Sequence, residues 1–188
     1  MNRKPYFCLH TLVAKVWHLT ETLFPYNMFE DEIRSDPQAL PLYKKGMEIL
    51  EVVRQIGELI PDDDNEQLAD VKRVMLEDAM MLIVKVAGAE ATQLYDLRME
   101  AATIIRKSAM NLMIQNHSLE MFGFEHVEYY QIVRRLIEEY RLLFIDWVSK
   151  FDQWNYIIDR WGLFNPPGVG PFDHDPDADI PFNGFDES

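Results

Sequence analysis

Residues 125–161 read EHVEYYQIVRRLIEEYRLLFIDWVSKFDQWNYIIDRW. In alternating steps of three and four, Tyr130, Val133, Ile137, Tyr140, Phe144, Trp147, Phe151, Trp154, Ile158 and Trp161 fall on one seam, and every one is apolar or aromatic. No glycine or proline interrupts the run. This spacing is that of an amphipathic helix whose stripe other helices must cover. At ~1.5 Å per residue, an unbroken helix over the stretch would be roughly 55 Å long. The stretch therefore predicts an all-α protein built around one long helix, with Trp147 and Phe151 in the core.

Upstream, the same spacing predicts three further helical regions. Residues 6–24 carry a seam of Leu9, Leu12, Val16, Leu19 and Leu23, closed by Pro25. Residues 25–38 are a polar, proline-bounded link. A second helix is expected over 39–60, on Leu42, Gly46, Ile49, Val53, Ile56 and Ile60. Pro61 and the run Asp62, Asp63, Asp64, Asn65 end it and favour the start of the next helix, where negative charge suits the N-terminal dipole. Residues 66–122 are helical in pattern but would span ~85 Å as one helix. A break is expected at Gly88–Leu94, giving halves over 66–88 and 94–121, with Gly123 as the final cap. Residues 163–188 hold five of the ten prolines and cannot be helical. The parts are thus an N-terminal helix and linker (1–38), a helical bundle (39–162) and an extended Pro/Asp-rich acidic tail (163–188). Short links favour an up-down-up-down four-helix bundle.

Composition narrows the function. The chain has 188 residues, 48% of them hydrophobic, enough for a real core. Its net charge of −14 opposes the nucleic-acid backbone and anionic membranes alike, and favours a basic protein partner. One cysteine, Cys8, permits neither an intrachain disulfide nor a cysteine metal site, in keeping with a reducing cytoplasm. Lys15, His10 and His18 interrupt the early apolar run, unlike a signal peptide. No stretch approaches the ~20 apolar residues that span a bilayer.

The chemistry-bearing residues give no reaction signature. None of the five histidines has Glu three residues before it, so the di-iron bundle pattern is absent. Glu48 and Glu51 form one Glu-x-x-Glu, the first half of the magnesium site of all-α nucleotide pyrophosphohydrolases. Its second half is missing: Asp63 and Glu66 have reversed order, and Glu125 and Glu128 sit at a helix start. Arg106 and His117 are too far apart for a HEPN-type ribonuclease, and Arg3 and His10 lie in the wrong place. Asp173, Asp175, Asp177 and Asp179 alternate as in a calcium loop, but Ala178 and Gly184 stand where an EF-hand has Gly and Glu. Asp78, Lys85, Thr92, Asp96 and Thr103 share an azimuth on a continuous helix and read as a solvent-facing stripe, the alternative being a buried polar network that forms a ligand site. Arg98 and Gln115 fall in the apolar series Met80, Val84, Ala87, Ala91, Leu94, Ala101, Ile105 and Leu112. A core arginine needs a partner, and Glu90, Glu138 or a tyrosine hydroxyl would serve. A central polar site built from Asp96, Arg98 and Tyr140 is the candidate that follows.

The block from LYKKGMEILE through RWGLFNPPGVGP resembles an uncharacterised family of short helical proteins from Bacteroidetes bacteria, a resemblance that implies no activity. Ile105, Arg106, Lys107, Ser108 and Ala109, followed by YYQIVRRLIEEYRLL, resemble the four-helix-bundle family encoded in rRNA intervening sequences. That resemblance implies ring-like oligomers and, in some members, nucleic-acid binding on basic surfaces, which this acidic chain lacks. The expected function is that of a non-catalytic helical bundle acting through a protein partner or itself, as a homo-oligomer, without cofactor or catalytic residues. The alternative is a small-molecule or metal-dependent enzyme with its site in the bundle centre.

Overall fold

Why a chain with these seams stops and turns where it does is visible in its caps. The computed structural model describes residues 36–60 and 65–175. The helix expected over 6–24, most of its link, Asp62–Asp64 and the tail from Pro176, with Asp177, Asp179, Ile180, Phe182 and Phe185, lie outside the described residues. Among the described residues there are four α-helices and no strand: α1 (Pro41–Glu58), α2 (Glu66–Glu90), α3 (Tyr95–Met121) and α4 (Tyr130–Val148). Each helix packs against the next in the chain, and α1 also packs against α4. Among the described residues no helix is long and apolar enough to cross a membrane.

α1 starts on Pro41, whose fixed φ suits the first helical position. Its whole expected seam, Leu42, Gly46, Ile49, Val53, Ile56 and the following Ile60, is buried. α2 starts on Asn65, whose side-chain oxygen accepts from Leu68 N at 3.1 Å. The amide nitrogen of the same side chain donates to Phe122 O at 3.2 Å, so one residue caps α2 and ties it to the end of α3. α2 runs through Gly88 to Glu90. Thr92 then ends it, its hydroxyl accepting from Leu94 N at 3.2 Å. α3 ends as expected on Gly123, at φ +80, a conformation costly for a residue with a Cβ. Gly123 N donates to Glu120 O and Phe124 N to Leu119 O, closing a Schellman motif over the buried Leu119–Phe124 pair.

The break after Glu90 shifts the phase of the pattern. Ile105 and Leu112 are buried, but Met80 and Val84, which precede the break in the same series, are exposed. The core face of α2 is instead Leu68, Val71, Met75, Ala79, Leu82, Val86 and Ala89. Asp78, expected on a solvent-facing stripe, is buried for the same reason.

The long helix of residues 125–161 is the main correction. α4 covers Tyr130–Val148 only. Tyr130, Val133, Ile137, Tyr140, Trp147, Phe151 and Ile158 are buried as the seam requires, but Trp154 and Trp161 are 91% and 90% exposed against 6% for Trp147. Local hydrogen bonds terminate the helix. Ser149 Oγ donates to Asp146 O at 2.7 Å, and the backbone N–H groups of Lys150 and Phe151 reach back only three residues. Asp152 then accepts from Trp154 N at 2.9 Å, an Asx turn that competes with helix propagation. Beyond it, Asn155 O accepts from Tyr95 N at 2.7 Å, pinning the departing chain to the first residue of α3.

Candidate functional site

Three sets of polar groups lie inside the helices or against their ends. The first is built on the α2–α3 turn. Glu90 closes α2 and Arg98 sits in the first turn of α3, so the turn brings two largely buried, opposite charges together. An Arg98 Nη donates to Glu90 Oε1, and Trp147 Nε1 donates to the same oxygen at 2.8 Å. The guanidinium carbon lies 4.3 Å from the Phe151 ring centroid and 5.9 Å from that of Trp147. Trp147 and Phe151 meet edge-on at 4.7 Å. Arg98 is thus held between a carboxylate and two aromatic rings, with its Nε buried and without a hydrogen-bond partner. Of the three expected partners, Glu90 is the one used.

Asp96, two residues before Arg98, faces the chain beyond α4: its Oδ1 accepts from Ile157 N at 3.1 Å. Tyr140 is engaged elsewhere. It lies seven residues before Trp147, about 10 Å along the helix axis, and its hydroxyl donates to Leu82 O at 2.9 Å. Burial pushes that hydroxyl's pKa far above its ordinary value. A Cβ on Gly46 would stand 3.6 Å from the Tyr140 ring and 3.1 Å from Ile83 Cγ1, so the missing side chain leaves room for the ring where α1 passes α2. The structure therefore places Asp96 and Arg98 at the same end of α3, each with its own partner, and Tyr140 at a separate contact.

The third set joins α2, α3 and α4. Asn111 Nδ2 donates to Asp78 Oδ1 at 3.3 Å, and Tyr130 OH donates to Leu112 O at 2.9 Å. Burial, with the nearby Asp78 carboxylate, raises the Tyr130 pKa far above the usual phenol value. Buried tyrosines thus spend their hydroxyls on main-chain carbonyls of neighbouring helices, the ordinary way such a group is satisfied.

The carboxylate pairs have plain partners. Lys45 Nζ donates to Glu139 at 2.7 Å and Glu48 at 2.6 Å, joining α1 to α4, and these bonds raise the lysine pKa. Glu51 accepts from Arg54 and Gln55, and the Arg54 bond holds its pKa below the ordinary value. Among the described residues, no three His, Cys, Asp or Glu side chains gather as a metal site would require.

Sequence reasoning missed the organising role of Asp159. Its Oδ1 accepts from Trp161 N at 2.8 Å, and its Oδ2 from Leu163 N at 2.8 Å and Phe164 N at 3.0 Å. Its own backbone N and O are matched by the Asn165 side chain at 2.7 and 2.9 Å. The Trp161 N–H in particular holds the Asp159 pKa low, against the opposing effect of burial. Arg160 donates to Pro171 O and Asp173 O, both at 2.9 Å, folding residues 171–173 back. The signal was present: Asp152 and Asp159 each stand two residues before a tryptophan, the spacing of an Asx turn. In the same segment Phe164 and Val169 are half-buried, and Leu163 and Phe172 point into solvent. Asp173 Oδ2 accepts from Gly170 N at 2.7 Å, a turn contact.

Comparison with protein-family models, with curated proteins and with solved structures finds no match to this chain.

Proposed function

We propose that this is a non-catalytic protein that acts through protein–protein contact and self-associates through the outward faces of α2 and α3. The observation that carries the reading is the exposure of large apolar side chains on those faces. Val84 is 55% and Ile114 57% exposed, and Met80, Met81 and Met110 flank them. Met80 and Val84 are four residues apart on α2, as are Met110 and Ile114 on α3, so each pair shares a helix face. α2 and α3 pack side by side, with Asp78 level with Asn111, so both apolar faces belong to one helix pair. An apolar face on a helix whose opposite side already fills the core marks an interaction surface, and methionines suit an adaptable one. Residues 66–121 carry eight carboxylates against six Lys and Arg, so a second copy meets little repulsion there.

In this reading the four helices form an up-down-up-down bundle, and the protein works in the reducing cytoplasm. The enzyme alternative draws less support, because Arg98, Asp96 and Tyr140 each have a structural partner. Light scattering at micromolar concentration tests it. A mass of two or more chains is expected, reduced to one by Val84→Glu with Ile114→Glu. A wild-type monomer overturns it.

A further inference from the structure

The chain beyond α4 presents a second exposed surface, and its character differs. Trp154, Trp161 and Phe172 are each at least 90% exposed, and Leu163 and Ile157 also face solvent. These side chains are not on a loose strand. Asp152 orders the backbone at Trp154, and Asp159 orders it at Trp161 and Leu163. Arg160 brings Pro171 and Asp173, the neighbours of Phe172, back toward Trp161, and Gly162 lies against the Pro171 ring: a Cβ there would stand 3.3 Å from Pro171 Cγ. Aromatic side chains standing in water on a hydrogen-bonded backbone are the composition of an interface core, not of an ordinary surface.

Charge selects the occupant. Residues 151–175 hold four carboxylates and one basic side chain, Arg160, a net charge of −3 in this segment of a chain that carries −14. Arg160 is occupied by its two carbonyl acceptors. A second copy of this chain would bring the same negative segment and be repelled. A cationic segment would be drawn in by the field and held by stacking on the tryptophans, since guanidinium groups prefer indole faces. We propose that Trp154, Trp161 and Phe172 form a docking surface for an arginine-rich segment of a partner protein. The proposal is independent of self-association through α2 and α3.

The test is calorimetric titration of the full chain with a synthetic nona-arginine peptide, repeated with nona-lysine and in raised salt. Saturable binding is expected, weakened by salt, tighter for arginine than for lysine. Trp154→Ala with Trp161→Ala should weaken it about tenfold, the scale of two exposed cation–π contacts. Trp154→Phe with Trp161→Phe should retain most of the affinity. Both tryptophans are solvent-exposed, so the variants keep the fold, which an unchanged melting temperature verifies. Absence of binding overturns the proposal. So does equal affinity of wild type and the double alanine variant, which would reduce the effect to bulk charge. Binding at this surface and assembly through α2 and α3 separate cleanly: Val84→Glu with Ile114→Glu should leave peptide affinity unchanged.

Discussion

Trp147 and Trp154 are seven residues apart, on the same seam of the same sequence pattern, and their environments are opposite. Trp147 packs against Phe151, donates to Glu90 and is buried. Trp154 follows an Asx turn and stands in water. The difference lies in what precedes each. Trp147 sits inside a helix whose neighbours cover it, whereas Asp152 offers the backbone at Trp154 a local acceptor that a helix cannot match. Periodicity reports which residues would share a face if the helix continued. It does not report whether the helix continues.

That contrast has a direct measure. Trp147→Ala should cost about 3–5 kcal/mol, as for large aromatic residues removed from a core, and Trp154→Ala under about 0.5 kcal/mol. Paired thermal or urea unfolding gives both values. Similar losses for the two variants would mean that Trp154 is packed in the core as Trp147 is.

Glu90 sharpens the same comparison at the polar end of the core. Glu90→Ala leaves Arg98 largely buried without its carboxylate and Trp147 Nε1 without its acceptor. A loss of about 3 kcal/mol is expected, as for a broken buried ion pair. Replacing both charges, with Glu90→Leu and Arg98→Met, should recover part of it, because the cost lies mainly in the orphaned charge. If the double variant is less stable than Glu90→Ala, the pair itself contributes more than its desolvation removes.

The smallest effect belongs to the C-terminal segment. Asp159 has a folded pKa below its ordinary value of 3.8, chiefly through the Trp161 N–H. A depressed carboxylate stabilises the folded form fully above its unfolded pKa. That contribution fades as pH falls through about 3.8 and is gone below the folded value. The segment beyond α4 should therefore loosen only in that acid window, while α1–α4 persist. Carboxyl NMR titration of Asp159 checks it: a midpoint at or above 3.8 contradicts the arrangement. Asp159→Asn should leave the helices intact and raise amide exchange at Trp161, Leu163 and Phe164.

Much of the helical frame was legible from residues alone. The seam of α1 from Leu42 to Ile60, the break between α2 and α3 and the Gly123 cap follow from spacing, helix length and the positive φ that glycine tolerates. Burial in the first half of the α4 seam follows likewise, because apolar spacing and cap chemistry act within a few residues. Tertiary structure alone decided the rest. It chose Glu90 from among the partners open to Arg98, because the α2–α3 turn sets which charge comes within reach. It placed Asp78 inside and Val84 outside, because the phase of each helix is set by its own partners and restarts at every break. It separated Tyr140 from Arg98, because each buried hydrogen-bonding group settles on the nearest acceptor its own helix position offers. It left Trp154 and Trp161 in water while burying Ile158 of the same seam, because backbone bonds to Asp152 and Asp159 replace the helical spacing that would have aligned all three.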